Sequence, residues 1–299
     1  MRKYLYIFLF LYACARDEEE KYWTSAKPLP YKVANFGYTY YLSSFYIFGG
    51  DTIANDYSTS RMIIYNNGNY SISDTLNAPL HLKNPCIAYY NNRIYIFGGY
   101  IANTPTNNFF VYNINSNSYQ DLGNLPFDAG GCFAITLNNR IYVVVGRNST
   151  SFYEFNPINN SFIQKPSLKY SRDGLCAVVL NGRIYAIGGG TDKVEYYDFS
   201  TNTWNEVKSL DFSLKYHTCA ELDGKIYVFG GQTGGSISSK VLRYDPNSDS
   251  WSYITDMKTP RKSLGCARIG SEIYVFGGID DNGKITNIVE VFSISPVAF

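Results

Sequence analysis

The sequence predicts an all-β ring of six four-stranded blades, a β-propeller. Three observations predict it. First, a six-residue phrase recurs six times: FYIFGG at 45–50, IYIFGG at 94–99, IYVVVG at 141–146, IYAIGG at 184–189, and IYVFGG at 226–231 and 273–278. A fixed period in the forties marks one supersecondary unit copied around a ring or along a stack. Second, an aromatic stands 26 residues upstream of the glycine pair in five units: Trp23 before Gly49, Tyr119 before Val145, Phe162 before Gly188, Trp204 before Gly230 and Trp251 before Gly277. In the remaining unit Tyr70 precedes Gly98 by 28, so one turn there is two residues longer. Third, another aromatic precedes that one by seven residues in four units (Tyr112, Phe155, Tyr197 and Tyr244) and by five in one (Tyr65).

The elements of one unit follow in order along 212–255. FSLKYHTCAEL is an apolar-polar run, ended by the turn Asp223-Gly224. KIYVFGG is a buried second strand ended by glycines, KVLRYDP an alternating third, and WSYIT a fourth after a Pro-Asn-Ser-Asp-Ser turn. β-Branched and aromatic residues fill the strands, and Asn, Gly, Asp and Ser fill the joints. No stretch has helical periodicity long enough to predict a helix. A strand end without a Cβ lets a neighbouring blade approach closely. The aromatics then fill the wedge between blades, each bringing large apolar area and, in Tyr and Trp, one polar tip.

The last unit lacks its outer aromatic: the position 21 residues after Gly277 falls on Ala298. Trp23 is followed by the layout that follows Trp204 and Trp251. Residues about 21–26 are therefore expected to supply the outer strand of the last blade. Such a clasp removes the open sheet edge and makes one closed domain.

Over residues 21–299 these positions resemble the Kelch repeat. Gly49, Gly98, Gly188, Gly230 and Gly277 are its strand-ending glycines, and Trp23, Trp204 and Trp251 its outer aromatics. The resemblance implies a six-bladed Kelch-type propeller. Unit three departs, with Val145-Gly146 for the glycine pair, and Tyr or Phe replaces Trp in units one to three. Its third blade is expected to pack differently.

The amino terminus differs in kind. Arg2 and Lys3 precede YLYIFLFLYA, an apolar run of ten that is too short to span a bilayer as a helix. Residues 1–15 fit a secretory leader with Ala13-Cys14-Ala15 as its cleavage site. Leu11 to Cys14 also resembles a lipoprotein box, which makes Cys14 a candidate lipidation site. Residues 16–20 form an acidic spacer. The expected location is exported (secreted, periplasmic or lipid-anchored), the alternative cytoplasmic. Cys86, Cys132, Cys176, Cys219 and Cys266 each lie eight to ten residues before the repeat tyrosine, one per successive blade. Five cannot pair off completely, and reduced, buried thiols are the expectation.

The chain has two histidines and no His/Cys spacing of a zinc site. It also lacks a nucleophile elbow, a P-loop and a dinucleotide fingerprint. No catalytic residue, metal or cofactor is assigned. The net charge of +1 and pI near 7.5 give no nucleic-acid footprint. Membrane contact is expected only through an N-terminal anchor.

One pattern goes beyond repetition. The loops leading into each first strand carry a cation in five of six units: Lys32, Lys83, Arg172, Lys215 and the pair Arg261-Lys262, with Asp128 in unit three. The Kelch resemblance implies that these lead-in loops share a face, near the pore, with the loops after the glycine pairs, which add Arg147. Polar loops on a rigid ring are where binding sites usually live. Lys32, Lys83, Arg147, Arg172, Lys215, His217, Arg261 and Lys262 are the candidate ligand-binding residues, and a cationic ring favours anionic groups. The resemblance implies a non-catalytic, protein-binding module most often. The alternative is an exported sugar-acid mutarotase or epimerase of the sialic-acid type, because such enzymes are also six-bladed Kelch-like propellers. A carboxylate beside an arginine at the pore mouth would favour it, and Asp173 beside Arg172 is the nearest candidate.

Overall fold

The computed structural model describes residues 22–52, 59–66, 68–73 and 80–294. The leader, the acidic spacer and Cys14 lie outside them. The strands assemble into six four-stranded antiparallel sheets. Blade 5 is typical: Thr218–Leu222, Lys225–Phe229, Lys240–Asp245 and Ser250–Asp256 pair in sequence order. Its first strand starts later than the sequence pattern alone indicates. Tyr216 is left-handed, at φ 58°, and a backbone turned that way cannot continue a strand.

Each innermost strand touches the innermost strands of both neighbouring blades, and the circle closes between Gly265–Ile269 of blade 6 and Gly37–Tyr41 of blade 1. Trp23–Ser25 completes blade 6, with Trp23 opposite Phe292 and Ser25 opposite Glu290. The Trp23 ring is 3% exposed and lies 5.3 Å from Phe292 and 6.0 Å from Phe229 of blade 5. The head of the chain thus seals its tail, as the missing outer aromatic requires.

The core sits in the seams. Six apolar clusters each join two adjacent blades; Tyr46, Phe48 and Met62 of blade 1, for example, pack with Ile94 and Ile96 of blade 2. The strand-ending glycines make these seams close. A Cβ on Gly98 would stand 2.5 Å from the Ala129 Cβ of blade 3, and one on Gly277 would stand 2.7 Å from the Val33 carbonyl of blade 1. Both glycines are left-handed, at φ 51° and 62°.

The cysteines differ from expectation. Cys86 and Cys132 form a disulfide between blades 2 and 3, and Cys176 and Cys219 form one between blades 4 and 5. The repeat sets equivalent positions of neighbouring inner strands at Cα separations of 5.6 and 6.0 Å, inside the span a disulfide bridges. Cys266 remains a buried thiol. Its neighbours around the ring are Cys219, already paired, and Gly37, which offers no sulfur. It accepts a hydrogen bond from the Thr218 hydroxyl at 3.1 Å.

A candidate recognition site at the lead-in mouth

Six left-handed residues, one per blade, turn the lead-in loops into their first strands: Asn35, Asn84, Gly131, Gly174, Tyr216 and Ser263. Their backbones link blade to blade. Asn84 N donates to Asn35 O (2.6 Å), Asn35 N to Ser263 O (3.3 Å), Ser263 N to Tyr216 O (2.8 Å) and Tyr216 N to Gly174 O (2.7 Å). Among the described residues no such bond joins Gly131 to Gly174 or to Asn84. The belt therefore opens on both sides of blade 3. This is the blade with Val145 in place of the first glycine.

The belt surrounds a cavity of about 450 Å³ to which all six blades contribute. Its floor is Tyr38 and Phe133, whose rings meet edge to face at 5.8 Å across the channel. The Tyr38 hydroxyl shares a 2.6 Å hydrogen bond with Thr218 of blade 5. Burial pushes the Tyr38 phenol well above its ordinary pKa, so it stays protonated. Tyr38 and Phe133 stand between the lead-in mouth and a second cavity at the opposite end of the channel, which they also help to line.

The expected cationic ring is only partly here. Lys83 lines the cavity with its ammonium 3.4 Å from Asp51, and Lys262 lines it while donating to Gln232 at 3.0 Å. Lys215 stands beside the mouth with its ammonium 5.0 Å from the centre of the Tyr216 ring. Lys32 and Arg147 are exposed and outside the cavity lining. Arg172 and Arg261 do not reach the mouth at all: both are fully buried. Arg172 binds Glu195 at 2.7 Å and the carbonyls of Gly188 and Lys193. Arg261 binds Glu290 at 2.8 Å and the carbonyls of Gly277 and Ile288. They brace the lead-in loop to its own blade, and their assignment as ligand-binding residues is corrected. Asp173 lines the cavity while Arg172 turns inward, so these two form no carboxylate–arginine pair at the mouth.

His217 is 4% exposed, lines the cavity, and has no hydrogen-bond partner at either ring nitrogen. Desolvation lowers its pKa to about 3, so the imidazole is neutral at physiological pH. Asp173 accepts a hydrogen bond from the Tyr216 hydroxyl at 3.3 Å. Burial first, and then the Asp173 charge, raise the pKa values of Tyr216 and Tyr100 and keep both as donors. Tyr100, Tyr216 and Asp51, all part of the lining, were not among the residues the sequence singled out.

The comparisons agree with this architecture. A family model described as the KLHDC2/KLHL20/DRC7 Kelch-repeats domain matches residues 162–297, and the Kelch motif matches residues 81–126. The Kelch domain-containing protein SSO1033 of Saccharolobus solfataricus is 39% identical over 90 residues, which are 30% of this chain and 11% of that protein. The chain thus spans about a tenth of that relative's length. The solved structure of YjhT superposes with a TM-score of 0.79, covering 91% of this chain and 97% of that one at 13% identity, a likeness of fold. With its repeats, glycine pairs and six closed blades, the chain belongs to the Kelch-repeat family.

Proposed function

We propose that this propeller is a non-catalytic recognition module whose lead-in mouth binds a protein partner. One observation carries the reading. Loops from all six blades converge on a single polar cavity, held by a hydrogen-bonded belt and floored by two partly buried rings. Ordering the binding groups before the partner arrives lowers the entropic cost of association. A preference for anionic partners rested on the cationic ring. With Arg172 and Arg261 committed inside the blades and Lys83 beside Asp51, that preference is not carried forward. Export belongs to the same proposal and is supported by the two inter-blade disulfides, because such bonds persist in oxidising compartments.

The test is affinity capture from the organism's own extract. The Lys83→Ala/Lys262→Ala variant is expected to bind the captured partner at least about ten-fold more weakly. Asn139→Ala, at the opposite end of the channel, should bind like the parent chain. Equal binding by the double variant would place the partner elsewhere.

A second reading, the sugar-acid mutarotase or epimerase, is favoured by the meeting of a carboxylate, two phenols and a neutral imidazole in one cavity: Asp173, Tyr100, Tyr216 and His217. Exchange between sialic-acid anomers followed by NMR decides it, and an unaltered exchange rate in the presence of the protein removes it.

A further inference from the structure

The far end of the channel carries a second cavity of about 910 Å³, within the range of small-molecule sites, ~300–1,000 Å³. Its wall is asymmetric in a way the repeat does not require. Six residues before each repeat tyrosine stand Tyr40, Tyr89, Thr136, Val179, Glu221 and Arg268, and all six line this cavity. One position further on, the six blades carry Tyr41, Tyr90, Leu137, Leu180, Leu222 and Ile269. Aromatic side chains at both positions are thus confined to blades 1 and 2, and an ion pair between Glu221 and Arg268 joins blades 5 and 6 on the other side of blade 1.

The aromatic wall is rigid yet open. Tyr41 stacks on Tyr89 with ring centres 4.2 Å apart and planes 10° from parallel, and Tyr89 lies 6.0 Å from Tyr46 in the same column. The Tyr89 hydroxyl donates to the Asn92 side-chain oxygen at 3.0 Å, and Thr136 donates to the Tyr89 carbonyl at 2.6 Å. The column ends on Tyr41, which is 48% exposed. Packing therefore fixes the orientation of a large ring without covering it, although burying that ring is what would stabilise the fold. Asn91, Asn92 and Asn139 line the same cavity. Its charged residues, Glu221 and Arg268, neutralise each other.

We infer that this second mouth is a binding site for an uncharged sugar, with the pyranose face laid on Tyr41 and its hydroxyls met by the asparagine amides and the Glu221–Arg268 pair. An exposed, oriented ring matches the apolar C–H face of a pyranose. Planar amide, carboxylate and guanidinium groups match its hydroxyls, and a wall without net charge selects against ionised ligands. The site is separate from the lead-in mouth and does not depend on its function.

The experiment titrates the intact chain with maltotriose, cellotriose and, as a charged comparator, sialyllactose, by calorimetry and by NMR of the tyrosine rings. At least one neutral trisaccharide is expected to bind and to shift the Tyr41 and Tyr89 ring signals. Tyr41→Ala should weaken that binding at least about ten-fold, and Tyr41→Trp should restore it, with unfolding midpoints little changed because the ring is exposed. Sialyllactose should bind more weakly than the neutral sugar. Failure of both neutral sugars to bind, equal binding by Tyr41→Ala, or shifts confined to Tyr100 and Tyr216 at the other mouth would overturn the inference.

Discussion

Reducing the two disulfides is expected to lower the unfolding free energy by about 4 kcal/mol for each, the chain-entropy estimate for bridges joining residues 46 and 43 positions apart. The two loops, 86–132 and 176–219, do not overlap, so their contributions should nearly add. Urea unfolding with and without reductant measures the loss. Cys86→Ser/Cys132→Ser and Cys176→Ser/Cys219→Ser, studied separately, divide it between the two seams. A thiol count supplies the qualitative check. In a Cys14→Ser chain denatured without reductant, one thiol is expected to titrate, that of Cys266, and five with reductant. Five without reductant would mean that the inner strands approach without bonding. The two staples fasten blades 2 to 3 and 4 to 5, whereas Trp23–Ser25 closes blade 6 by hydrogen bonds and the packing of the Trp23 ring.

The second large effect concerns the arginines inside the blades. Arg261→Met is expected to cost about 3–5 kcal/mol, because it leaves Glu290, 2% exposed, charged and without its guanidinium. Glu290→Gln should cost a similar amount by stranding Arg261. The double replacement Arg261→Met/Glu290→Leu removes both charges and should recover most of the loss, as buried pairs replaced by apolar groups commonly do. Chemical denaturation of the three variants forms the double-mutant cycle. A binding residue would behave differently: its loss would weaken the partner and leave the unfolding midpoint near that of the parent. A small stability change for Arg261→Met would return it to the mouth.

The spacing of the lead-in cations shows why they resemble one ring. Counted back from the repeat tyrosine, Arg172 and Arg261 stand at thirteen, where the other blades have Val33, Leu82, Ala129 and Leu214, every one buried. Lys83, Lys215 and Lys262 stand at twelve, and so does Asp173. One residue of offset turns the side chain from the blade interior to the mouth, so a structural pair and a surface set stand side by side in the sequence, with Lys32 at fourteen. The belt residues were legible in the same way, at eleven before the tyrosine in all six units. Asn35, Asn84, Gly131 and Gly174 are types that adopt the left-handed backbone readily, but Tyr216 and Ser263 are not, and they obscure the pattern. The fold itself was open to reading because glycines and rings recur at fixed distances, each with a packing reason. The disulfides were not, because their formation depends on the spacing of neighbouring inner strands around the ring, which no single repeat reveals. Tyr100 and Asp51 reach the lead-in cavity from the positions directly after the glycine pairs, where the repeat imposes no common residue.

One closed ring holds six loops at a single mouth, and amide hydrogen exchange at the closure is its sharpest test. Amides of Trp23–Ser25 that bond to Val289–Ser293 should exchange with the protection of that strand, since both open only when blade 6 opens. Free exchange of residues 23–25 beside a protected 289–293 would contradict the closure and, with it, the fixed geometry of both mouths.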